Sequence, residues 1–246
     1  MTIVGLIPAR CGSERVPGKN IKPLNGVPLL AYSIASALES GQFDRGVYVS
    51  TDSDEYAAIA REYGAQVIKR PGAHATSVSP DIAWVQHALE QFNRTELGRP
   101  DEFAILRPTS PFRSAETIRR AFRRWNTQKA QYDSLRAVQP VSEHPGKMWK
   151  LSHGYLEPML LQPDDPPWHS SQMASLPKVY VQNASLEIAH VGTALQKGSI
   201  AGDAIMPFLT QGAEGFDINS VYDFDTAERM VERGDATLPP VHSRVA

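Results

Sequence analysis

The chain opens on the stretch that organises its fold, residues 3–20, which read IVGLIPARCGSERVPGKN. Its first seven residues form a nearly continuous apolar run, typical of a strand buried on both faces of a parallel sheet. The next eleven residues hold two glycines and three cations, Arg10, Arg15 and Lys19. Backbone N–H groups and cations in such a loop suit a polyphosphate, although on charge alone a solvated basic loop explains them equally well.

Outward from this stretch, predicted strands alternate with predicted helices. The strands are 47–49, 67–68, 103–106 and 134–138, and the helices are 28–38, 54–63, 82–92 and 115–125. Later strands are expected at 179–189, 205–206 and 216–218, before a closing helix at 220–233. This order predicts an α/β fold with a doubly wound, mostly parallel sheet, in which ligands bind beyond the carboxyl ends of the strands.

The alternation breaks between residues 139 and 178, where seven prolines stand. Proline lacks a backbone donor, so this segment is not expected to form core strands or helices. We interpret it as an excursion from the sheet, either a lid or a dimerisation arm. A single domain is therefore predicted over 1–234, with 139–178 as its excursion and 235–246 as a loose tail.

Composition excludes several classes of protein. The 25 Lys and Arg residues against 27 Asp and Glu leave a net charge of -2, which argues against a nucleic-acid binder. No apolar run reaches the length of about 18 residues that a membrane span needs, and the N-terminus does not resemble a signal peptide. The only cysteine, Cys11, permits neither an internal disulfide nor a cysteine-based zinc site, so a cytoplasmic location is expected.

Several further segments agree in order and spacing with one known pattern. They are residues 50–52, 70–71, 107–113 (RPTSPFR), 143–147, 176–183 and 216–219. Together with residues 9–20, which resemble an A-R-x-G-S-x-R-x-x-x-K-N signature, they are similar to the acylneuraminate cytidylyltransferases, the CMP-sialic acid synthetase family. The resemblance covers residues 1–233, and its first motif and its Pro-Thr-Ser-Pro motif are specific in combination.

The resemblance implies a homodimeric nucleotidyltransferase of Rossmann-like fold. Its reaction would be attack of a nonulosonic sugar acid's anomeric hydroxyl on the α-phosphorus of CTP, with Mg²⁺ as cofactor and pyrophosphate as leaving group. The implied catalytic residues are Arg10, Lys19 and Asp217. The implied nucleotide-binding residues are Arg10, Gly12, Ser13, Arg15, Lys19, Asn20, Arg70, Ser79 and Asp81. The implied acceptor-binding residues are Arg107, Thr109, Ser110, Lys147, Gln182 and Asn183, and the implied metal ligands are Asp217 and Asn219.

The chain departs from the family pattern at two places. Asn219 stands where the family has a second metal-binding aspartate, so weaker metal binding is expected. Gln172 and Met173 stand where sialate-activating members have an arginine that holds the acceptor carboxylate. We therefore hypothesise that Arg107, with Lys147, binds the acceptor's anionic group. His144 is a further candidate for an acceptor contact.

Simpler structural roles remain open for several of these residues. Arg70 has an alternative role in tying its loop to the sheet, and Asp52 and Asp81 have one in capping the helices that follow them. Two other functions also stay open. One is a nucleotidyltransferase that uses another nucleotide or an acceptor bearing a phosphate or phosphonate, and the other is a nucleotide-binding protein without catalysis.

Overall fold

In a computed structural model, the chain is described over residues 1–94, 98–161 and 165–243. Residues 162–164 of the predicted excursion and 244–246 of the predicted tail lie outside these ranges. The strands are Ile3–Pro8 (β1), Pro23–Leu24 (β2), Val27–Pro28 (β3), Val47–Thr51 (β4), Gln66–Lys69 (β5), Glu102–Ile105 (β6), Ser134–Pro140 (β7), Trp149–Ser152 (β8), Tyr155–Pro158 (β9), Tyr180–His190 (β10) and Ile205–Leu209 (β11). The α-helices are Leu29–Ser40 (α1), Asp54–Glu62 (α2), Asp81–Gln91 (α3), Ala115–Gln128 (α4), Val191–Leu195 (α5) and Val221–Glu232 (α6).

The central sheet has seven strands in the order β11-β7-β10-β6-β1-β4-β5. β10 pairs antiparallel with both neighbours, and all other pairs in this sheet are parallel. β1 lies between β4 and β6, so the chain winds outward from it in both directions. This reversal leaves a crevice at the carboxyl end of β1, where the glycine-rich loop begins. The predicted mostly parallel α/β fold is confirmed.

Helices cover both faces of the sheet, which explains why β1 is apolar on every side. Val4 and Leu6 pack with side chains of α3 and α5 in one cluster. Ile7 packs with side chains of α1, α2 and α4 in another cluster. Trp84 of α3 and Trp125 of α4 are almost fully buried, one on each face. Within the described ranges, no helix combines the length and hydrophobicity that crossing a membrane requires.

The excursion leaves the sheet at the end of β7 and returns at the start of β10. It carries a small antiparallel hairpin, β8 with β9, that forms a sheet of its own in the described part of the chain. Its apolar side chains face solvent: Leu151 is 78% exposed, Tyr155 76% and Leu156 64%. An exposed apolar hairpin of this kind is typical of an interaction surface.

Two predicted features are wrong. Residues 216–218 form no strand, because Ile218 is buried against α6 and its backbone N–H donates to the carbonyl oxygen of Thr109 rather than to a strand. The described part of the tail is not loose, since Ala236, Leu238 and Val241 pack in the cluster built around α6. Burial of these apolar side chains compensates the entropy lost on ordering the segment.

Candidate active site

The glycine-rich loop after β1 is shaped by side chains that hold its backbone. The Cys11 backbone N–H donates to Oδ1 of Asp52 at 3.0 Å, and the Cys11 thiol donates to the other carboxylate oxygen at 3.1 Å. The buried Asn20 donates from Nδ2 to the Arg10 carbonyl at 3.1 Å. Asn20 and Asp52 therefore position the loop, and Asn20 also lines the cleft described below.

Neither carboxylate that the sequence offered as a helix cap acts as one. The cap of α2 is Ser53, whose side chain accepts from the Tyr56 backbone N–H, while Asp52 turns toward the glycine-rich loop. Asp81 is the first residue of α3 and follows Pro80 at the cap position. The carboxylate of Asp81 accepts instead from the indole N–H of Trp84 at 2.8 Å.

The side chain of Lys19 extends from the glycine-rich loop to the segment that precedes α6. Gly18 adopts a left-handed backbone with φ of 65°, which turns the chain into the short 3₁₀ helix that begins at Lys19. The Nζ atom of Lys19 donates to the Ile218 carbonyl at 2.8 Å, close to Asp217. Burial lowers the pKa of Lys19, and the charge of Asp217 opposes that shift. The result is a partly buried ammonium group at the end of β1.

These groups line one cleft of about 660 Å³ at the carboxyl ends of the parallel strands. Most of the residues singled out from sequence meet there, namely Arg10, Ser13, Lys19, Asn20, Arg70, Ser79, Asp81, Arg107, Thr109, Gln182, Asn183, Asp217 and Asn219. Gly12 and Arg15 are exposed on the glycine-rich loop outside the lining, and Ser110 is buried beneath it. Lys147 lies in the excursion, also outside the lining.

Arg70 anchors its loop to β4 and also lines the cleft. Its Nε and one Nη donate to the side chain and the carbonyl of Ser50, both at 3.0 Å. Its guanidinium lies 4.9 Å from the ring centroid of Trp84. Burial lowers the pKa of Arg70 to about 10. Trp84 also lines the cleft, a feature that sequence reasoning missed because an apolar position on a predicted helix indicates only core packing.

Arg107 stands between two carboxylates. Its Nη2 atom lies 2.7 Å from Oδ2 of Asp81 and 2.9 Å from Oε1 of Glu187. Burial alone would lower the pKa of Arg107, but Glu187 and Asp81 raise it above its ordinary value. Although burial opposes ionisation of Asp81, Arg107 holds the pKa of that carboxyl below its usual range.

These contacts bear on the hypothesis that Arg107, with Lys147, binds the acceptor's anionic group. The charge of Arg107 is already balanced within the protein by Asp81 and Glu187. Lys147 donates to the Ser171 carbonyl at 2.6 Å, inside its own excursion. Within one subunit the two cations therefore have separate partners, and their joint role in binding the acceptor stays a prediction.

A second arginine of the RPTSPFR motif has a role that the sequence did not reveal. Arg113 is 1% exposed and donates to the carbonyl oxygens of Arg107 and Ser185 and to the Ser33 hydroxyl at 2.6 Å. Burial lowers the pKa of Arg113 to about 9. Arg113 thus fixes the backbone that carries Arg107. In the sequence, only the position of Arg113 at the end of the motif could have indicated this role.

Three excursion residues discussed from sequence also lie away from the cleft. His144 is buried, with Nε2 3.0 Å from the Pro177 carbonyl oxygen and Nδ1 accepting from the Gly146 backbone N–H. This structural role replaces the predicted acceptor contact within the subunit. Gln172 and Met173 stand at a turn of the excursion and do not line the cleft.

Asp217 and Asn219 form the part of the cleft suited to a metal ion. Oδ1 of Asp217 is buried and meets no hydrogen-bond donor among the described residues. Its other oxygen accepts from Nδ2 of Asn219 at 2.6 Å, so Asn219 orients the carboxylate. No cluster of three or more His, Cys, Asp and Glu suited to a metal occurs in the described ranges. One free carboxylate oxygen fits Mg²⁺, which often takes one or two protein carboxylates and substrate phosphates.

Comparison with known proteins agrees with this geometry. The sequence profile of the cytidylyltransferase family matches residues 4–187. The CMP-N,N'-diacetyllegionaminic acid synthase of Legionella pneumophila is 34% identical over 242 residues, which cover 97% of this chain and 100% of the relative. The N-acylneuraminate cytidylyltransferase of Escherichia coli is 31% identical over 92% of this chain and 51% of its own length.

A solved structure of CMP:2-keto-3-deoxy-manno-octonic acid synthetase complexed with CTP has the same fold. Its TM-score is 0.64 at 13% identity, and the match covers 95% of this chain and 100% of that one. The profile match, the full-length relative and the cleft at the end of β1 lead to one assignment: the chain belongs to the cytidylyltransferase family and is a nucleotidyltransferase.

Proposed function

We propose that the protein transfers CMP from CTP to the anomeric hydroxyl of a nonulosonic acid of the legionaminic type and releases pyrophosphate. The observation that carries the proposal is the 34% identity to a CMP-N,N'-diacetyllegionaminic acid synthase over that relative's whole length. The cleft supports it, because cations of the glycine-rich loop stand at one part of its wall and polar side chains of β10 at another.

In this reaction the acceptor oxygen forms a bond to the α-phosphorus as the bond from that phosphorus to the pyrophosphate oxygen breaks. No covalent intermediate on the protein is required, so its residues act by positioning and by charge neutralisation. Arg10 and Lys19 are our candidates for binding the triphosphate, with Lys19 stabilising charge on the leaving pyrophosphate. The Lys19 contact with the Ile218 carbonyl places its ammonium beside Asp217.

Mg²⁺ is the cofactor we expect, with Asp217 as its protein ligand and Asn219 as the residue that orients that ligand. When bound, the ion would neutralise phosphate charge. The buried Oδ1 of Asp217 supports this assignment, since a carboxylate oxygen without a donor is available for a cation.

For the base we retain Arg70, Ser79 and Asp81 as candidates. Asp81 accepts one bond from Trp84 and two from Arg107, while a carboxylate has about four acceptor sites. One site is therefore left for an amino group such as that of cytosine. This arrangement favours CTP over UTP, because uracil carries no exocyclic amino group.

The test of the proposed function is pyrophosphate release from the pure protein with each nucleoside triphosphate, Mg²⁺ and a panel of acceptors. We expect release with CTP and N,N'-diacetyllegionaminic acid, and little with sugar phosphates or phosphonates. Release only with a phosphate- or phosphonate-bearing acceptor would overturn the acceptor assignment. Binding of CTP by calorimetry without turnover of any acceptor would favour a non-catalytic nucleotide-binding protein.

We further propose that the enzyme is a homodimer held by the β8–β9 hairpin. Leu151 and Leu156 are register partners on this hairpin and are both exposed, so a second subunit covering them would remove apolar surface from water. We place the enzyme in the cytoplasm, where a reducing environment keeps the exposed thiol of Cys11 free.

The double substitution Leu151→Asp, Leu156→Asp is expected to convert the dimer to a monomer, because it places two carboxylates in the proposed interface. Light scattering coupled to gel filtration gives the mass directly. Lys150→Ala is the matched control on the same hairpin, since Lys150 pairs with Glu157 rather than with the leucines. A wild-type monomer, or a double variant that stays dimeric, would contradict this assignment.

A further inference from the structure

If the proposed acceptor is correct, its carboxylate needs a cation in the cleft. Gln172 and Met173 occupy the place where sialate-activating members of the family have an arginine for this purpose. Most cations lining the cleft already have another partner. We have assigned Arg10 and Lys19 to the triphosphate, and Arg70 is bound to Ser50. Arg107 is balanced by two carboxylates. The remaining arginine in the lining is Arg136, which the sequence analysis did not single out.

On β7, the side chain of Arg136 points to the opposite face of the sheet from those of Leu135 and Ala137. Leu135 and Ala137 are fully buried in the core, whereas the Arg136 side chain is 18% exposed and lines the cleft. Successive side chains of a β-strand point to opposite faces of the sheet, which explains the two orientations. The position of Arg136 is therefore fixed by β7, a strand paired on both sides, rather than by a loop.

The partners of Arg136 leave it less neutralised than Arg107. Its Nη2 atom lies 2.7 Å from Oε2 of Glu187, but that carboxylate also serves Arg107. Its Nη1 atom donates to the neutral side-chain oxygen of Gln182 at 2.5 Å. Two arginines thus share Glu187, and Asp81 contacts only Arg107 of the two. The contacts with Glu187 and Gln182 use two of the five N–H donors of the Arg136 guanidinium, so donors remain for an added anion.

A local irregularity of β10 brings Gln182 to this place. The register between β7 and β10 shifts between Gln182 and Glu187, because four residues of β10 oppose one residue of β7. A bulge of this kind re-aims side chains and occurs frequently next to active sites. With its oxygen on Arg136, the Gln182 amide retains its NH₂ group as a donor.

We infer that Arg136, with the NH₂ group of Gln182, binds the carboxylate of the sugar acid and takes over the role of the missing arginine. This inference rests on the proposed function. Both groups are hydrogen-bond donors, and both lie on the strand side of the cleft rather than on the glycine-rich loop. A guanidinium and an amide together can donate to both oxygens of one carboxylate.

Steady-state kinetics with Arg136→Gln test the inference. We expect the KM of the sugar acid to rise by at least about 30-fold, with the KM of CTP unchanged. The carboxamide analogue of the acceptor, which lacks the negative charge, should be a poor substrate of the wild type and should lose little further in the variant. An unchanged acceptor KM in Arg136→Gln would overturn the inference and leave the proposed function intact.

A structural role for Arg136 would be to neutralise Glu187, and a double variant separates the two roles. Arg136→Gln with Glu187→Gln removes both charges of the pair. If Arg136 only balanced Glu187, the double variant would recover the wild-type acceptor KM, which would overturn the inference. We expect no recovery. If the wild type transfers CMP to no sugar acid while it still binds CTP, the proposed function itself fails.

Discussion

Replacing Lys19 with methionine is expected to lower kcat/KM for CTP by about 100- to 1,000-fold, because it removes the cation that we propose for stabilising the developing pyrophosphate charge. Methionine keeps an unbranched side chain of similar length in this partly buried place. The ammonium of Lys19 is positioned by the Ile218 carbonyl at 2.8 Å, so no reorganisation is needed during the reaction. Pyrophosphate release at varied CTP concentration gives the value.

Lys22→Met provides the matched control for this substitution. Lys22 follows the same 3₁₀ helix but lies over the ring of Phe224, 4.1 Å from its centroid, and does not line the cleft. Its removal should cost only modest stability and leave kcat/KM for CTP unchanged. Similar losses in the two variants would mean that the local turn, rather than the charge of Lys19, supports activity.

Asp217→Asn is expected to raise the Mg²⁺ concentration for half-maximal rate by at least about tenfold and to lower kcat by about 100-fold. The substitution removes the negative charge while it keeps the shape of the side chain. The buried Oδ1 atom, which meets no donor among the described residues, is the atom whose charge the metal would use. A titration of the rate against Mg²⁺ at saturating CTP measures both quantities.

Asn219→Asp should strengthen Mg²⁺ binding, whereas Asp217→Asn should weaken it. It sets a second carboxylate 2 residues from Asp217, in place of an amide that now donates to Asp217 at 2.6 Å. Without metal the two carboxylates would repel each other and lower stability, whereas the proposed Mg²⁺ would be held by both. The melting temperature should therefore rise more steeply with Mg²⁺ than in the wild type. Equal responses of wild type, Asp217→Asn and Asn219→Asp would argue against a metal at this place.

The general architecture could be predicted because the relevant signals are local. The apolar runs of β1, β4 and β6 and the helices between them are recorded in nearby residues. The carboxyl ends of parallel strands meet at one edge, so the convergence of residues 10, 19, 70, 81 and 107 followed from the topology. The cleft was therefore predictable in place and in its principal residues.

The features that the sequence could not show concern partners that are distant along the chain. Residues 216–218 alternate like a strand, yet Ile218 enters the core around α6 without pairing. Arg107 looked like a free cation, but Glu187, 80 residues away, balances it together with Asp81. Pattern reasoning lists the charged groups of a site without saying which of them neutralise one another.

By itself, then, the sequence determined the order of strands and helices, the glycine-rich loop with its cations, and the membership of a family of nucleotidyl transfer enzymes. Only the tertiary structure decided which charges remain available to a ligand. Arg113 holds backbone carbonyls, Arg107 contacts two carboxylates, and Arg136 lines the cleft beside Gln182, which a register shift in β10 brings there, while it shares Glu187 with Arg107. The physical reason is that availability depends on distances of a few ångströms between side chains, which chain folding sets and sequence spacing does not record.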